Sequence, residues 1–353
     1  MAVGSATTAV TAVRARGLPS LWLGGAAVFL VAALLVGLAT GPVRIGPWPI
    51  LESALSHVPL LGIHSHLSAP DAAIVWQVRA PRVVLAALVG GMLAVAGSAY
   101  QGVFRNPLAD PYLLGVAAGA GLGATLVIAY VAAGETYLLP IAAFAGAVVG
   151  VAAAYSLGRT VGGALGTGTL VLAGVTVSAF MTALQTFFQQ EHSDTLREVF
   201  SWLLGGFSAA TWHDVVIVLP YIAISSLVIL AHRRVLDVLS VGDEEAAMLG
   251  LHVRRVRLVI VIAATAGTAA AVAVSGLIGF VGIIVPHTVR LLASTSYRAV
   301  VPLSLLVGGG FLVVADLLAR TIMSPAELPI GVVTAFFGAP FFAVVLRTMR
   351  SSL

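Results

Sequence analysis

Ten stretches of mostly apolar residues, separated by short polar segments, dominate this sequence. A helix needs about 20 such residues to cross the hydrocarbon core of a bilayer, and each stretch is close to that length. Only 9% of the 353 residues are charged, whereas a soluble domain normally carries about 25%. The pattern therefore predicts an all-α membrane protein, a polytopic bundle of about ten transmembrane helices. The predicted spans are residues 21–40, 83–101, 112–132, 138–158, 168–188, 213–231, 257–275, 277–294, 301–319 and 330–347.

The arginines predict the orientation of this bundle. With the N-terminus in the cytoplasm, thirteen arginines lie inside and five outside, as expected from the excess of positive charge in cytoplasmic loops. The first span follows Arg14 and Arg16 and resembles a signal peptide, but its apolar run is too long and its cleavage spacing is poor. We therefore expect a cytoplasmic tail at 1–20 and a transmembrane domain at 21–350, with both termini cytoplasmic, in the cell membrane.

Two absent residue types exclude several kinds of chemistry. The chain has no Cys, which excludes disulfides, thiolate metal sites and cysteine nucleophiles. All 18 basic residues are Arg, so the chain has no lysine for a phosphate-binding GxxxxGK[ST] loop or for a Schiff base. The net charge of +4 does not indicate nucleic-acid binding, because the arginines are scattered among apolar spans.

Small residues recur at helical spacing within the spans. Gly115, Gly119 and Gly123 follow one another at intervals of four residues, as do Gly146 and Gly150. In lipid, such spacing lets helices approach closely, because van der Waals packing replaces the hydrophobic driving force. We therefore expect a compact bundle with close helix crossings.

Three longer motifs point to a known family. They are "RAPRVVLAALVGGMLAVAGSAYQGVFRNPLADPYLLGVAAGAGLGA" at 79–124, "VSGLIGFVGIIVPHTVRLL" at 274–292 and "ELPIGVVTAFFGAPFF" at 327–342. Together they resemble the FecCD-type permease subunits of bacterial ABC importers for iron siderophores, haem and cobalamin. The resemblance implies a type II ABC importer permease fold of ten helices that pairs with a second copy of itself. It further implies two separate ATPase subunits, which bind the ATP and Mg, and an extracytoplasmic substrate-binding protein.

One charged stretch lies in the predicted cytoplasmic connection at 232–257. Acids at its start favour a short helix, since negative charge is stabilised at a helix N-terminus, and a glycine can end that helix. By resemblance, this position carries the coupling helix that sits in a cleft of the ATPase; an ordinary solvated loop is the alternative. The predicted coupling residues are Asp243, Glu244, Glu245, Ala246, Ala247, Met248, Leu249 and Gly250.

Three arginines depart from the positive-inside trend. Arg79 and Arg82 precede the second span, and Arg320 closes the ninth, all on the predicted outer face. The resemblance implies that they dock the binding protein, and snorkelling to lipid headgroups is the alternative. Asp316 lies one helical turn before Arg320, and we expect the two to form an ion pair.

Polar residues in the fifth span indicate a translocation path. Thr182, Gln185 and Thr186 lie at helical spacing on one side, and polar groups are costly in lipid. The resemblance places the gate at Thr167 and Gly168, in the connection before this span. Ordinary interhelical hydrogen bonding is an equally good reading of the polar residues.

The sequence thus predicts a non-catalytic permease subunit of an ATP-driven importer, with an iron–siderophore complex as the first choice of cargo over haem and cobalamin. We expect no cofactor or metal in this chain, and we interpret His57, His64 and His66 as loop surface, because their spacing fits no standard site. A secondary transporter driven by an ion gradient is the alternative. Asp316 favours it, and so does a weak inverted repeat, which pairs residues 94–97 and Pro107 with residues 273–276 and Pro286. A membrane enzyme lacks clustered carboxylates or histidines within the spans.

Overall fold

The computed structural model describes residues 20–56, 64–131, 137–161 and 167–350, and all regular elements in these ranges are helical. All ten predicted spans are confirmed as helices: seven are long and apolar enough to cross a bilayer, and three are shorter. The span helices are α1 (Ser20–Ala39), α4 (Ala80–Phe104), α5 (Val116–Tyr130), α6 (Leu138–Val161), α7 (Thr167–Glu191), α9 (Trp212–Ala231), α12 (Val253–Ser275), α13 (Val281–Leu292), α14 (Tyr297–Thr321) and α15 (Ile330–Arg350). The shorter connecting helices are α2 (Pro47–Ser56), α3 (Ala69–Ala73), α8 (Leu196–Leu203), α10 (Arg233–Val241) and α11 (Asp243–Met248).

Helix α4 forms the centre of the bundle. Every residue from Val89 to Phe104 is buried, and α9, α12, α13 and α14 pack around it. Glycine makes these contacts possible: a Cβ on Gly90 would lie 2.3 Å from the carbonyl oxygen of Gly308, and one on Gly97 would lie 2.0 Å from that of Gly282. The backbones of α14 and α13 therefore touch the backbone of α4, as close packing in lipid requires.

The predicted glycine motifs face each other across α5 and α6. A Cβ on Gly119 would lie 2.1 Å from the carbonyl oxygen of Gly146, and the reverse distance is also 2.1 Å. One turn away, a Cβ on Gly150 would lie 2.5 Å from the Gly115 oxygen. The expected close crossing is therefore confirmed.

Two predicted spans are interrupted. Helix α5 begins only at Val116, after a 3-10 turn and Gly115, whose φ is 87°. Helix α13 begins at Val281, after Phe280 with a φ of 69°. These left-handed conformations end the regular helical backbone, so the spans at 112–132 and 277–294 are wrong at their N-terminal ends.

The residues matched in the weak inverted repeat lie in different local structures. Gly97 lies within α4, whereas Gly276 follows α12 as its C-cap with a φ of 66°. Pro107 falls in a turn, but Pro286 lies inside α13. The matching residues therefore occupy unlike positions and do not mark equivalent halves.

The connecting helices define the two ends of the bundle. Helices α10 and α11 lie between the end of α9 and the start of α12, and we name this the α11 end. Helix α8 lies between the end of α7 and the start of α9, and we name this the α8 end.

The close crossing of α5 and α6 makes a stability prediction. Replacing Gly119 with Ala places a methyl group against backbone that cannot move aside, and overpacking of this kind costs about 1–3 kcal/mol. We expect a lower midpoint of thermal unfolding in detergent. Gly25→Ala is the matched control, because a Cβ there meets nothing within 4 Å; equal midpoints for the two variants would contradict the packing account.

Candidate functional site

The C-terminus of helix α11 is fixed by backbone hydrogen bonds. Two residues that follow the helix donate back to its carbonyl oxygens: the Leu251 N–H to Ala246 (3.1 Å) and the Gly250 N–H to Ala247 (2.9 Å). Gly250 has a φ of 81°, and the pattern is a Schellman motif, in which glycine takes the left-handed position. The predicted short helix and its end at Gly250 are confirmed.

The three acids in the first turn of α11 have different surroundings. Asp243 forms an ion pair with Arg257 at 2.8 Å and a second with Arg105 at 3.5 Å. Glu244 and Glu245 are exposed, and neither forms an ion pair with any residue that the structure describes. The Asp243 carboxylate is therefore paired with arginines of this chain, whereas the side chains of both glutamates are accessible to a partner protein.

The apolar residues of this segment also divide into two faces. Ala246 is fully buried, so this predicted coupling residue cannot contact a partner. Met248 is 84% exposed, Leu249 is 71% exposed, and Ala247 lies beside them at the surface. The face open to a partner is therefore smaller than the sequence indicates.

Helix α10 attaches this segment to the bundle, which the sequence did not predict. Leu236 and Leu239 are fully buried against the core. Between them, the Asp237 carboxylate accepts hydrogen bonds from the Ser296 hydroxyl (2.7 Å) and the Tyr297 backbone N–H (2.5 Å). Asp237 thereby satisfies one of the free N–H groups at the start of α14 and also holds the Ser296 hydroxyl.

Four charged side chains cluster at the α8 end. The buried Asp316 carboxylate lies 2.8 Å from the Arg82 guanidinium, and a Glu327 oxygen lies 2.8 Å from the same group. Arg320 lies farther from Asp316, at 3.8 Å. The expected pair of Asp316 and Arg320 is therefore present, but Arg82 is the nearer partner.

Arg79 and Arg320 hold the end of α1. Arg79 is only 4% exposed and donates to the Leu38 oxygen at 2.8 Å. Arg320 donates to the Gly37 oxygen. The last carbonyls of a helix lack partners within it, so the two guanidinium groups cap α1 from the side.

A cavity of about 930 Å³ opens at the α8 end. Arg82 and Glu327 line one wall, and Glu198, Asp214 and Trp202 line others. The Arg82 side chain is 12% exposed, which is the largest exposed fraction among the three predicted docking arginines, and it lines the cavity. Arg82 and Glu327 are thus the members of the charged cluster that border this cavity.

The polar residues of α7 face two directions. Thr182 and Thr186 are exposed, but Gln185 is only 7% exposed. A Cβ on Gly121 of α5 would lie 2.9 Å from the Gln185 side-chain oxygen. Gln185 therefore packs against α5. The helical spacing had predicted that it shares the open face with the two threonines, and this prediction is wrong.

The predicted gate residues lie at the start of α7. Thr167 is its first residue, and Gly168 is exposed with no atom within 4 Å of a Cβ built there. The preceding residues 162–166 lie outside the described residues.

The histidines have different positions. His66 bonds to Glu52 at 3.0 Å on the surface, His64 is exposed, and His57 lies outside the described residues. Within the ranges that the structure describes, no three His, Asp or Glu residues come together as a metal site.

The comparisons with known proteins agree on one family. A family model for the FecCD transport family matches residues 29–348. The Bacillus subtilis ABC transporter permease protein YvrB, itself uncharacterized, is 39% identical over 324 residues, which cover 90% of this chain and 91% of that protein. The cobalamin import system permease protein BtuC of Halobacterium salinarum is 38% identical, with 92% and 95% covered. The Escherichia coli Fe(3+) dicitrate transport system permease protein FecD is 35% identical, with 92% and 99% covered.

A solved structure supports the same conclusion. An ABC transporter assigned to the metal-chelate type, in an inward-facing conformation, superimposes with a TM-score of 0.81 and 28% identity, covering 94% of this chain and 99% of that one. The fold, the family model and the relatives therefore agree along almost the whole length. The chain belongs to the FecCD transport family, as a multi-pass permease of the ABC importer type.

Proposed function

We propose that this chain is the membrane-spanning subunit of an ATP-driven importer for a metal chelate, with an iron–siderophore complex as the first choice and haem or cobalamin as the others. Relatives named for cobalamin and for ferric dicitrate support the chelate class. The observation that carries the proposal is the α11 segment at one end of a membrane bundle. It exposes two large apolar side chains and two acids that form no ion pair with the described residues.

The α11 end is the cytoplasmic end in this proposal. The excess of arginine on that side, thirteen against five, supports the orientation. Two ATPase subunits, which bind the ATP and Mg, contact Glu244, Glu245, Met248 and Leu249. This chain has no P-loop lysine and acts as the transport subunit without catalysing hydrolysis itself.

A second copy of the chain completes the path. Helix α7 exposes Thr182 and Thr186 together with large apolar side chains such as Phe180, which is 65% exposed. The Thr186 hydroxyl donates to the Thr182 carbonyl oxygen at 2.9 Å, and this exposed face, with its two threonines, is proposed to line the space between two copies. Thr167 and Gly168 lie at one end of the same helix and form the proposed gate.

The binding protein docks at the α8 end, and Arg82 is proposed as its main contact. Arg82 lines the cavity together with its partner Glu327, whereas Arg79 and Arg320 donate to the backbone of α1. Opposite charges across such a surface chiefly steer and orient docking.

The two sequence features that favoured a gradient-driven transporter, the inverted repeat and Asp316, no longer favour it. The residues matched in the inverted repeat occupy unlike positions in the structure, and Asp316 lies between the guanidinium groups of Arg82 and Arg320. Paired in this way, Asp316 has a structural role in the described chain and gives no separate indication of ion coupling.

Transport should require the ATPase. Proteoliposomes that contain the complex, purified by a tag on this chain and loaded with Mg and ATP, should accumulate a radiolabelled ferric siderophore in the presence of the binding protein. Proteoliposomes with this chain alone should not. Accumulation by the chain alone, driven by an imposed ion gradient, would show that the class is wrong.

The coupling surface makes a second prediction. Changing Glu244 and Glu245 to Arg should lower the affinity for the ATPase subunit by at least about ten-fold, because like charges or unpaired groups at an interface cost several kcal/mol. The measurement is co-purification of the ATPase with the tagged chain. Changing Asp194 and Glu198 to Arg is the matched control, since it makes the same charge change with exposed acids at the α8 end. Equal retention of the ATPase by both variants contradicts the assignment.

The docking surface makes a third prediction. Replacing Arg82 with Gln and Asp316 with Asn removes both charges, so that no unpaired buried carboxylate remains. We expect affinity for the binding protein to fall roughly ten-fold at low salt, and less at high salt because of screening. Arg44→Gln is the control, since Arg44 is exposed and forms no ion pair with the described residues. The assignment fails when binding affinity in nanodiscs is the same for all three proteins.

A further inference from the structure

Two aspartates join the coupling segment to different membrane helices. Asp237 lies in α10 and Asp243 begins α11, and both carboxylates bind partners within this chain. Because α10 and α11 are separated by Gly242 alone, a movement of one shifts the other. The partners of the two carboxylates therefore determine which helices follow that movement.

Asp237 holds the start of α14. Its two oxygens accept bonds from the Ser296 hydroxyl and the Tyr297 N–H, and the Arg298 guanidinium lies 3.4 Å away. Ser296 is itself the N-cap of α14, where it accepts a bond from the Arg298 N–H. Asp237 thus bonds to the cap, to the first backbone donor and to a first-turn side chain, so α10 and α14 are joined by more than one contact.

Asp243 holds α12 and the end of α4. The Arg257 guanidinium donates to both carboxylate oxygens, at 2.8 and 3.0 Å, and Arg257 lies in the second turn of α12. Arg105, at 3.5 Å, is the left-handed C-cap of α4. The two arginines are respectively 16% and 39% exposed, so the pair with Arg257 is the better shielded.

We propose that Asp237 and Asp243 are positioning residues that transmit movement of the α10–α11 unit to α14 and to α12. The inference rests on the proposed function of α11 as the coupling segment. It assigns two roles to the acids of one short stretch: Glu244 and Glu245 contact the ATPase, while Asp243 passes the displacement inward.

The ion pairs of Asp243 are expected to contribute little to the free energy of unfolding. Asp243 is 42% exposed, and pairs at such positions contribute little to stability because water and salt screen them. Their geometry still fixes the direction in which a helix is pulled. Removing the Asp243 charge should therefore leave folding and ATPase binding nearly intact and should weaken the connection between the two ends of the protein.

The test separates ATPase binding from transmission. The complex, purified from its own membrane by a tag on this chain and placed in nanodiscs, is measured in two ways: affinity for the ATPase subunit, and the fold stimulation of ATP hydrolysis by cargo-free binding protein. The variants are Asp243→Asn and Asp237→Asn. Asp243→Glu is the conservative variant, and Glu244→Gln with Glu245→Gln is the matched control.

For both asparagine variants we expect stimulation to fall at least about three-fold, within the range that coupling residues produce, while ATPase affinity stays near that of the parent. Asp243→Glu should restore stimulation. The double glutamine control should show the reverse, with affinity lost and stimulation retained in the complexes that form.

Two results would overturn the inference: Asp243→Asn lowers ATPase affinity as the glutamine control does, or it leaves stimulation unchanged. If Asp237→Asn fails to fold, Asp243→Asn decides alone, because its carboxylate is half exposed. When the glutamine control leaves ATPase affinity unchanged, the coupling surface itself is wrong, which distinguishes failure of the proposed function from failure of this inference.

Discussion

Direct contact between helix backbones is the constraint on which this structure depends. Lipid gives no hydrophobic drive for helices to associate, so packing must come from close approach. Gly90 and Gly97 let α14 and α13 touch α4, and Gly119 and Gly146 let α5 and α6 touch each other. Because α4 is enclosed on all sides from Val89 onwards, the position of each neighbouring helix is fixed relative to one central element.

The sequence predicted the elements that depend on length and composition, and it missed those that depend on contacts. Ten apolar runs gave ten helices, because about 20 apolar residues cannot remain unstructured in lipid. The breaks at Gly115 and Phe280 lie inside apolar runs, where hydropathy does not change. Helix α10 was missed because nine residues carrying three charges look like a loop until Leu236 and Leu239 are seen to be buried.

The candidate site shows the same limit. The sequence identified the unusual charges but not their partners, since Arg82 and Asp316 lie 234 residues apart and Arg82 and Glu327 lie 245 apart. Asp316 was paired with its helical neighbour Arg320, although the nearer guanidinium comes from another helix. The prediction that Gln185 lies on the open face of α7 was wrong for a related reason: helical spacing defines a face of the helix but does not show which neighbouring helix covers it.

The two charged ends are linked by the same pair of helices. Arg82 and Arg105 lie at opposite ends of α4, about 35 Å apart at the rise of an α-helix. On α14, Asp316 lies near one end, while Asp237 holds the other. Between the two clusters, Gly90 and Gly308 allow the backbones of these two helices to come into contact. In a core packed this closely, a shift of either helix cannot be absorbed by empty space. Under the proposed mechanism, docking at Arg82 and movement of α11 therefore act on one rigid unit.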